Sequence, residues 1–246
     1  MNKVQQATTR LDKLLSNAGV ASRRSIKQFL KNNEVTINNK RATESGLRVG
    51  EKDIVLINGK PLRKPGFVYF LLNKPMGYIS TTSDEFFRGT VTELIDTSER
   101  IYPIGRLDKD THGLLLLTND GELTHKLIHP RYHVPKVYRL LINGRVSTQK
   151  IQLFKQGVLL SDGPTLPAEA NIIETNNDQT VLEVTLHEGR NRQIRRMCDT
   201  LGLDLADLGR ISFGPLTLKN VQLGKYRKLT KEEIISLKQA VERQTK

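Results

Sequence analysis

The sequence predicts an α+β protein in two parts. A small domain of two helices followed by β-segments precedes a larger domain built on a mixed, mainly antiparallel β-sheet. Three observations lead there. Apolar spacing in the first 62 residues runs helix, helix, strand, strand. Lys60 to Gly66, with two prolines, a glycine and three cations, has the chemistry of a linker. Beyond it, strand-like and short helical segments follow one another with no repeat and no strand–helix–strand rhythm of a doubly wound sheet. The predicted boundaries are 1–62 for the first domain, 63–66 for the linker and 67–246 for the second.

In the small domain Leu11, Leu14 and Leu15 recur at helical spacing, and Ala18-Gly19 supplies a C-cap. Ser22 is the expected N-cap of a second helix carrying Ile26, Phe29 and Leu30 on one face. At about 100° per residue, Arg23, Arg24, Lys27 and Lys31 fall on its other side, with no acid among them. Such a stripe costs a few tenths of a kcal/mol per i,i+4 pair unless something anionic offsets it. Glu34 to Ile37 and Ile54 to Ile57 read as strands, leading into turns at Asn38-Asn39 and Asn58-Gly59.

In the larger part, Val68 to Leu72, Gly113 to Thr118, Val137 to Ile142 and Thr180 to Leu186 read as strands. Gly121 to Leu127 and Arg190 to Leu201 read as helices. The tail from Thr230 to Val241 is a third, with a Thr230/Glu233 capping box and an apolar stripe of Ile234, Leu237 and Val241.

Charge narrows the class. The 246 residues carry 39 Lys+Arg against 26 Asp+Glu, a formal net charge of +13. Residues 1–66 hold 14 basic and 5 acidic side chains, so the first quarter contributes most of the excess. This points to a polyanionic partner, nucleic acid before an anionic membrane surface. No apolar run approaches the roughly 20 residues that span a bilayer. Met1 to Thr9 lacks the apolar stretch of a signal peptide, and the single cysteine, Cys198, cannot build an internal disulfide framework. A cytoplasmic protein is expected.

The chemistry concentrates in Tyr102-Pro103-Ile104-Gly105-Arg106-Leu107-Asp108-Lys109-Asp110-Thr111-His112-Gly113 and the leucines after it. From residues alone this is an extended segment, a charged loop bracketed by glycines, and a buried strand ending in an Asn-Asp-Gly turn. Asp108 between Arg106 and Lys109 stays ionised if either cation faces it. It suits a surface salt-bridged turn as well as a catalytic platform. A calcium loop starting at Asp108 fails, because its twelfth position is Asn119. His125, His129 and His133 recur every four residues, but Pro130 interrupts that helix, so no metal site is expected.

Two resemblances sharpen this. Arg10 to Leu15, followed by Ala21-Ser22-Arg23-Arg24, resembles the small RNA-binding domain first known from small-subunit ribosomal protein four, over roughly residues 9–62. It implies RNA contacts through Arg10, Lys13, Arg23, Arg24 and Lys27. The run Gly105-Arg106-Leu107-Asp108-x-x-Thr111-x-Gly113-Leu114-Leu115 resembles the signature of the pseudouridine synthases acting on ribosomal RNA, of the RsuA/RluB type. Lys136-Val137-Tyr138 is similar to that family's Lys-x-Tyr strand, and Glu188 to Met197 to its Arg-rich helix start. His112 stands where the family varies, and no required position departs from its pattern.

The resemblance implies an isomerase that needs no metal and no cofactor, since its reaction is redox-neutral. Asp108 would be the essential carboxylate, attacking sugar or ring or acting as a base on the ribose. Arg195 would be its ion-pair partner and Tyr138 would stack on the base. Arg106 would fill the space left by a flipped nucleotide. Arg192 and Arg196 would contact phosphates, together with the neighbouring Arg190. The implied partner is ribosomal RNA or a ribosomal-subunit assembly intermediate, with no membrane and with the chain a monomer. The wording from Asn191 to Met197 lies closer to the large-subunit branch, small-subunit RNA being the alternative.

Overall fold

The structure, a computed structural model, describes residues 8–63 and 65–242. The polar residues before Thr8, Lys64 of the expected linker and residues 243–246 lie outside the described residues. The chain divides into two compact units. One runs to Val68 and takes in Ser98–Arg100; the other comprises Tyr69–Thr97 and the chain from Ile101 onward.

The smaller unit contains β1 (Thr8–Arg10), α1 (Leu11–Asn17), α2 (Ile26–Asn32), β2 (Val35–Ile37), β3 (Lys40–Arg41), β4 (Arg48–Gly50), β5 (Val55–Ile57) and β6 (Lys60–Pro61). Leu11, Leu15, Ile26, Leu30 and Val35 are its buried centre. β2–β3 and β5–β6 are antiparallel hairpins in one four-stranded sheet. Their turns run through Asn38-Asn39 and Asn58-Gly59, all at positive φ, which suits the right-handed twist of the flanking strands. The second helix begins later than the sequence suggests. Ser22 caps a separate turn, accepting from the amide of Ser25, and α2 starts at Ile26. Arg23 and Arg24 therefore precede the helix, and the four-cation stripe is broken. Arg23 turns to Asp12 at 3.1 Å, and Arg10 reaches the same carboxylate at 3.1 Å. Burial works to raise the Asp12 carboxyl, but hydrogen bonds from Arg10, Arg23 and the Lys13 amide outweigh it and hold it below its usual value.

The larger unit is one nine-stranded sheet with helices against it. It comprises β7 (Tyr69–Lys74), β8 (Tyr102–Pro103), β9 (His112–Thr118), α3 (Gly121–Ile128), β10 (Lys136–Asn143), α4 (Thr148–Gln156), β11 (Leu159–Leu160), β12 (Gly163–Pro164), β13 (Glu169–Thr175), β14 (Gln179–Leu186), α5 (Gln193–Thr200), β15 (Asp204–Phe213), β16 (Leu216–Thr217), β17 (Tyr226–Lys228) and α6 (Lys231–Glu242). The sheet order is β13-β14-β10-β15-β9-β7-β17, with β16 on β15 and β8 on β9. β11 and β12 pair by themselves. Among the described residues every strand pairing of the nine-stranded sheet is antiparallel except β15 with β9, joined at Gly209–His112 and Arg210–Gly113.

That parallel pairing is a seam. On one side Leu140, Phe154, Leu182, Val184, Met197 and Leu208 pack under α4 and α5. On the other, Leu71, Leu114, Leu116, Leu123 and Leu237 pack with α3 and α6. The backbones approach so closely at the seam that a Cβ on Gly113, at φ +106°, would lie 2.2 Å from the Arg210 carbonyl oxygen. The Thr230/Glu233 capping box forms in both directions, at 2.9 and 3.2 Å. The expected Asn-Asp-Gly turn is instead a helix start: Asp120 accepts from the amides of Glu122 and Leu123. As Pro130 requires, α3 ends at Ile128. Among the described residues no helix is long and apolar enough to cross a membrane, and no His, Cys, Asp or Glu cluster could hold a metal ion.

Candidate active site

Asp108 sits, half-buried, in the loop that joins β8 to β9. The loop turns tightly, with the Thr111 amide donating to the Asp108 carbonyl at 3.1 Å. Beneath it lies Lys74, the last residue of β7 and fully buried. Its ammonium donates to the carbonyls of Asp108 at 3.0 Å and Thr111 at 2.8 Å, and also to those of Pro75 and Lys109. Burial pushes Lys74 down to about 8, against the opposing pull of the Asp110 and Asp108 charges. Ser80 closes the other side, donating to the Leu107 carbonyl at 2.7 Å and accepting from the Leu107 amide at 3.0 Å.

The loop forms one wall of a cleft of about 410 Å³. Arg106, Asp108, Lys136, Tyr138, Arg195 and Arg210 all line it. Arg106 and Asp108 come from the β8–β9 loop on one side of the seam, Tyr138 on β10 and Arg195 on α5 from the other, so the seam brings together residues from both halves of the sheet. The structure thus collects the catalytic candidate and all three substrate-binding candidates at one place.

The expected ion pair is different, however. Arg195 meets Asp110, not Asp108: its Nη2 lies 3.6 Å from the Asp110 carboxylate and donates to the Asp110 carbonyl at 2.8 Å. The tight turn after Asp108 presents Asp110 to α5, and Arg192 joins it at 3.5 Å. Burial works to raise Asp110, but its own amide and the charges of Arg195 and Arg192 hold it below the usual carboxylate range. Among the described residues no ion pair joins Asp108 to Arg106, Lys109 or Arg195. The fixed cation nearest its backbone is Lys74. Arg195 keeps a buried Nε with no hydrogen-bond partner among the described residues.

The remaining arginines separate. Arg192 lines the cleft and begins α5 in a left-handed conformation. Arg196 is held away from it by a two-pronged pairing with Asp162, at 2.9 and 3.1 Å. Arg190 spans Glu188 and the carbonyls of Gly163 and Pro164. Arg10, Lys13, Arg23, Arg24 and Lys27 belong to the smaller unit. There Arg24 and Lys27 are exposed, whereas Arg10 and Arg23 share Asp12.

Two cleft residues have no role assigned by the sequence. Lys136 precedes Tyr138 by two positions and shares its face of β10. Arg210 stands opposite Tyr138 on β15 and is 2% exposed. Its Nε donates to the Leu114 carbonyl at 2.7 Å, while its Nη2 is buried without a hydrogen-bond partner among the described residues. Both cations lie over the Phe213 ring, at 5.7 and 5.2 Å. Burial and the neighbouring Arg210 push Lys136 down to about 8, with Glu188 opposing. The Lys-x-Tyr spacing could have flagged Lys136. Arg210 is hidden in a segment whose sequence does not read as a strand.

Comparison with known proteins follows the same lines. Residues 68–200 match the family described as RNA pseudouridylate synthase, and residues 9–55 match the S4 domain. The ribosomal large subunit pseudouridine synthase B of Bacillus subtilis is 40% identical over 232 residues, covering 93% of this chain and 95% of that protein. The dual-specificity RNA pseudouridine synthase RluF of Salmonella typhi is 36% identical over 239 residues, covering 96% and 80%. A crystal structure of a pseudouridylate synthase superposes with a TM-score of 0.68 at 29% identity, covering 93% of this chain and 99% of that one.

Proposed function

This chain belongs to the RNA pseudouridylate synthase family, among the enzymes that isomerise uridine to pseudouridine in ribosomal RNA, and from that premise we propose how its cleft divides the work and which RNA it serves. The observation that carries the reading is the meeting of Asp108, Tyr138 and Arg195 in one cleft. Asp108 is the reacting carboxylate, on a loop that Lys74 holds from below. Tyr138 stacks on the extruded uracil, and Arg106 stands in for it in the RNA stack. Arg195 acts on the site through Asp110 and Thr111, fixing the loop on which Asp108 stands. Arg192 at the rim, with Arg10, Lys13, Arg23, Arg24 and Lys27 on the smaller unit, meets phosphates.

Lys136 and Arg210 form a cationic floor for the base. The reaction breaks the bond from C1′ to N1 and makes one from C1′ to C5; N1 gains a proton and C5 loses one. If Asp108 attacks the sugar, or removes a ribose proton, the ring departs with the electron pair, delocalised onto its oxygens. If it attacks the ring, the resulting enolate places charge on the same oxygens. Either way the ring becomes negative, and one buried and one half-buried cation stabilise that charge more than they would in water.

The substrate is large-subunit ribosomal RNA, free or in an assembling particle, and the protein acts as a cytoplasmic monomer. The 40% identity to a protein named for the large subunit supports this choice. Pseudouridine mapping of total RNA from cells with the intact gene, a deletion, or Asp108→Asn tests it. One large-subunit position should vanish in both altered strains. Loss of a small-subunit position would reassign the substrate, and three identical maps would refute catalysis by this chain.

A further inference from the structure

Residues 84–88 make a small braced loop in the larger unit. Asp84 accepts from the backbone amides of Phe86 and Arg88, and its carboxylate takes the Arg88 guanidinium at 2.6 and 3.0 Å. The Arg88 side chain in turn lies over the Phe86 ring at 5.1 Å. Hydrogen bonds from Arg88 hold the Asp84 carboxyl down at about 2 despite some burial, so the brace stays ionised at any physiological pH. What it displays is unusual. Phe86 is 76% exposed and Phe87 98%, and Phe87 has φ +54°, a conformation bulky residues rarely adopt. The strained Phe87 backbone opposes folding, and apart from the Arg88 contact on Phe86 neither ring gains burial in return.

The stem of this loop is joined to the catalytic segment. Ile79 bridges Thr90, Gly77 donates to the Lys109 carbonyl at 2.8 Å, and Ser80 holds Leu107 in both directions. Gly89 packs under Tyr78, where a Cβ would come within 2.9 Å of the ring. The phenylalanines are thus carried by the same framework that positions Asp108.

We propose that Phe86 and Phe87 form a stacking platform for an unpaired base of the RNA substrate outside the reacting uridine. Unpaired bases stack on exposed aromatic rings without need of a fixed sequence. The chain's charge of +13 and its RNA substrate favour this occupant over a second copy of a basic protein. The proposal rests on the family's RNA substrate, not on any assignment within the cleft.

The test compares wild type with Phe86→Ala/Phe87→Ala, Phe86→Leu/Phe87→Leu and Phe86→Tyr/Phe87→Tyr. Affinity for unmodified transcripts of large- and small-subunit ribosomal RNA is measured alongside the single-turnover rate at saturating RNA. The Ala and Leu pairs should weaken binding on the order of 5- to 100-fold, with the saturated rate within about twofold of wild type. The Tyr pair should bind like wild type. A separate Phe87→Gly variant should melt at a higher temperature than wild type while binding RNA more weakly. Unchanged affinity in the Ala pair, or wild-type affinity in the Leu pair, overturns stacking. So does a wild-type dimer that the Ala pair dissolves while RNA affinity holds. A wild type that binds RNA but forms no pseudouridine would refute the proposed function and leave this platform standing.

Discussion

The cationic floor makes a quantitative prediction at Lys136. With the folded ammonium pushed down to about 8, about nine-tenths of it is charged at pH 7 and about a quarter at pH 8.5. If the chemical step needs that charge, the single-turnover rate constant at subsaturating RNA, which reports the free enzyme, falls roughly fourfold between these values, below the range where RNA uridines lose their own proton. Lys136→Arg keeps the charge at every accessible pH and should abolish the fall, because a guanidinium does not titrate there. Lys136→Met should lower the rate at pH 7 by about 10² to 10³, the usual cost of removing one preorganised charge from a developing anion, with RNA affinity nearly unchanged. Lys74 titrates near the same pH, and the Arg variant separates the two, since a fall that survives Lys136→Arg belongs to Lys74. A Lys136→Met enzyme with wild-type rate, or one whose only defect is weaker RNA binding, would refute the floor.

Three other perturbations follow from the geometry. Lys74→Met should cost on the order of 3 kcal/mol in urea unfolding, because several buried carbonyls lose their donor. Folding lowers the Lys74 value from 10.5 to about 8, so between those limits the unfolded chain binds more protons and wild-type stability gains as pH rises. The gap between wild type and Lys74→Met should therefore widen across that window. Gly113→Ala should destabilise by more than about 3 kcal/mol, since its methyl has no room at the Arg210 carbonyl and its backbone is left-handed. Arg24→Gln with Lys27→Gln should weaken RNA binding and flatten its salt slope by about 0.7 to 0.9 for each phosphate no longer neutralised. Arg23→Gln should cost stability in addition to RNA affinity, because Asp12 is buried and is left with Arg10 and the Lys13 amide.

Local signals in the sequence are reliable where one short-range rule decides the outcome. The Thr230/Glu233 box, the asparagine turns, the alternation along Thr180 to Leu186 and the halt of α3 before Pro130 are all of that kind. The start of α2 is misleading in sequence because Ser22 does cap something, but caps a turn. The β15 strand is hidden because Asp204, Asp207, Gly209 and Arg210 break the apolar pattern. Its pairing on both sides, and the core beneath Leu208, supply what the local sequence lacks. The same long-range pairing explains the site. Asp108 and Tyr138 can be named from ordered motifs, while the choice of Asp110 over Asp108 by Arg195 depends on a turn and a helix start 85 residues apart. Lys74 carries no sign in the sequence of being a buried support.

The parallel seam between β9 and β15 has a consequence for how the enzyme comes into being. Asp108 precedes one side of it, and the strand that completes the other lies near the end of the chain, at Asp204–Phe213. Until that strand is made and inserted between β10 and β9, Arg210 has no Leu114 carbonyl to bind and the two half-sheets have no junction. A nascent chain carries its acid loop and its tyrosine strand long before, yet has no cleft. Synthesis of the last fifth of the protein is therefore the step that switches the catalyst on, and truncation there leaves two partial sheets with chemistry in neither.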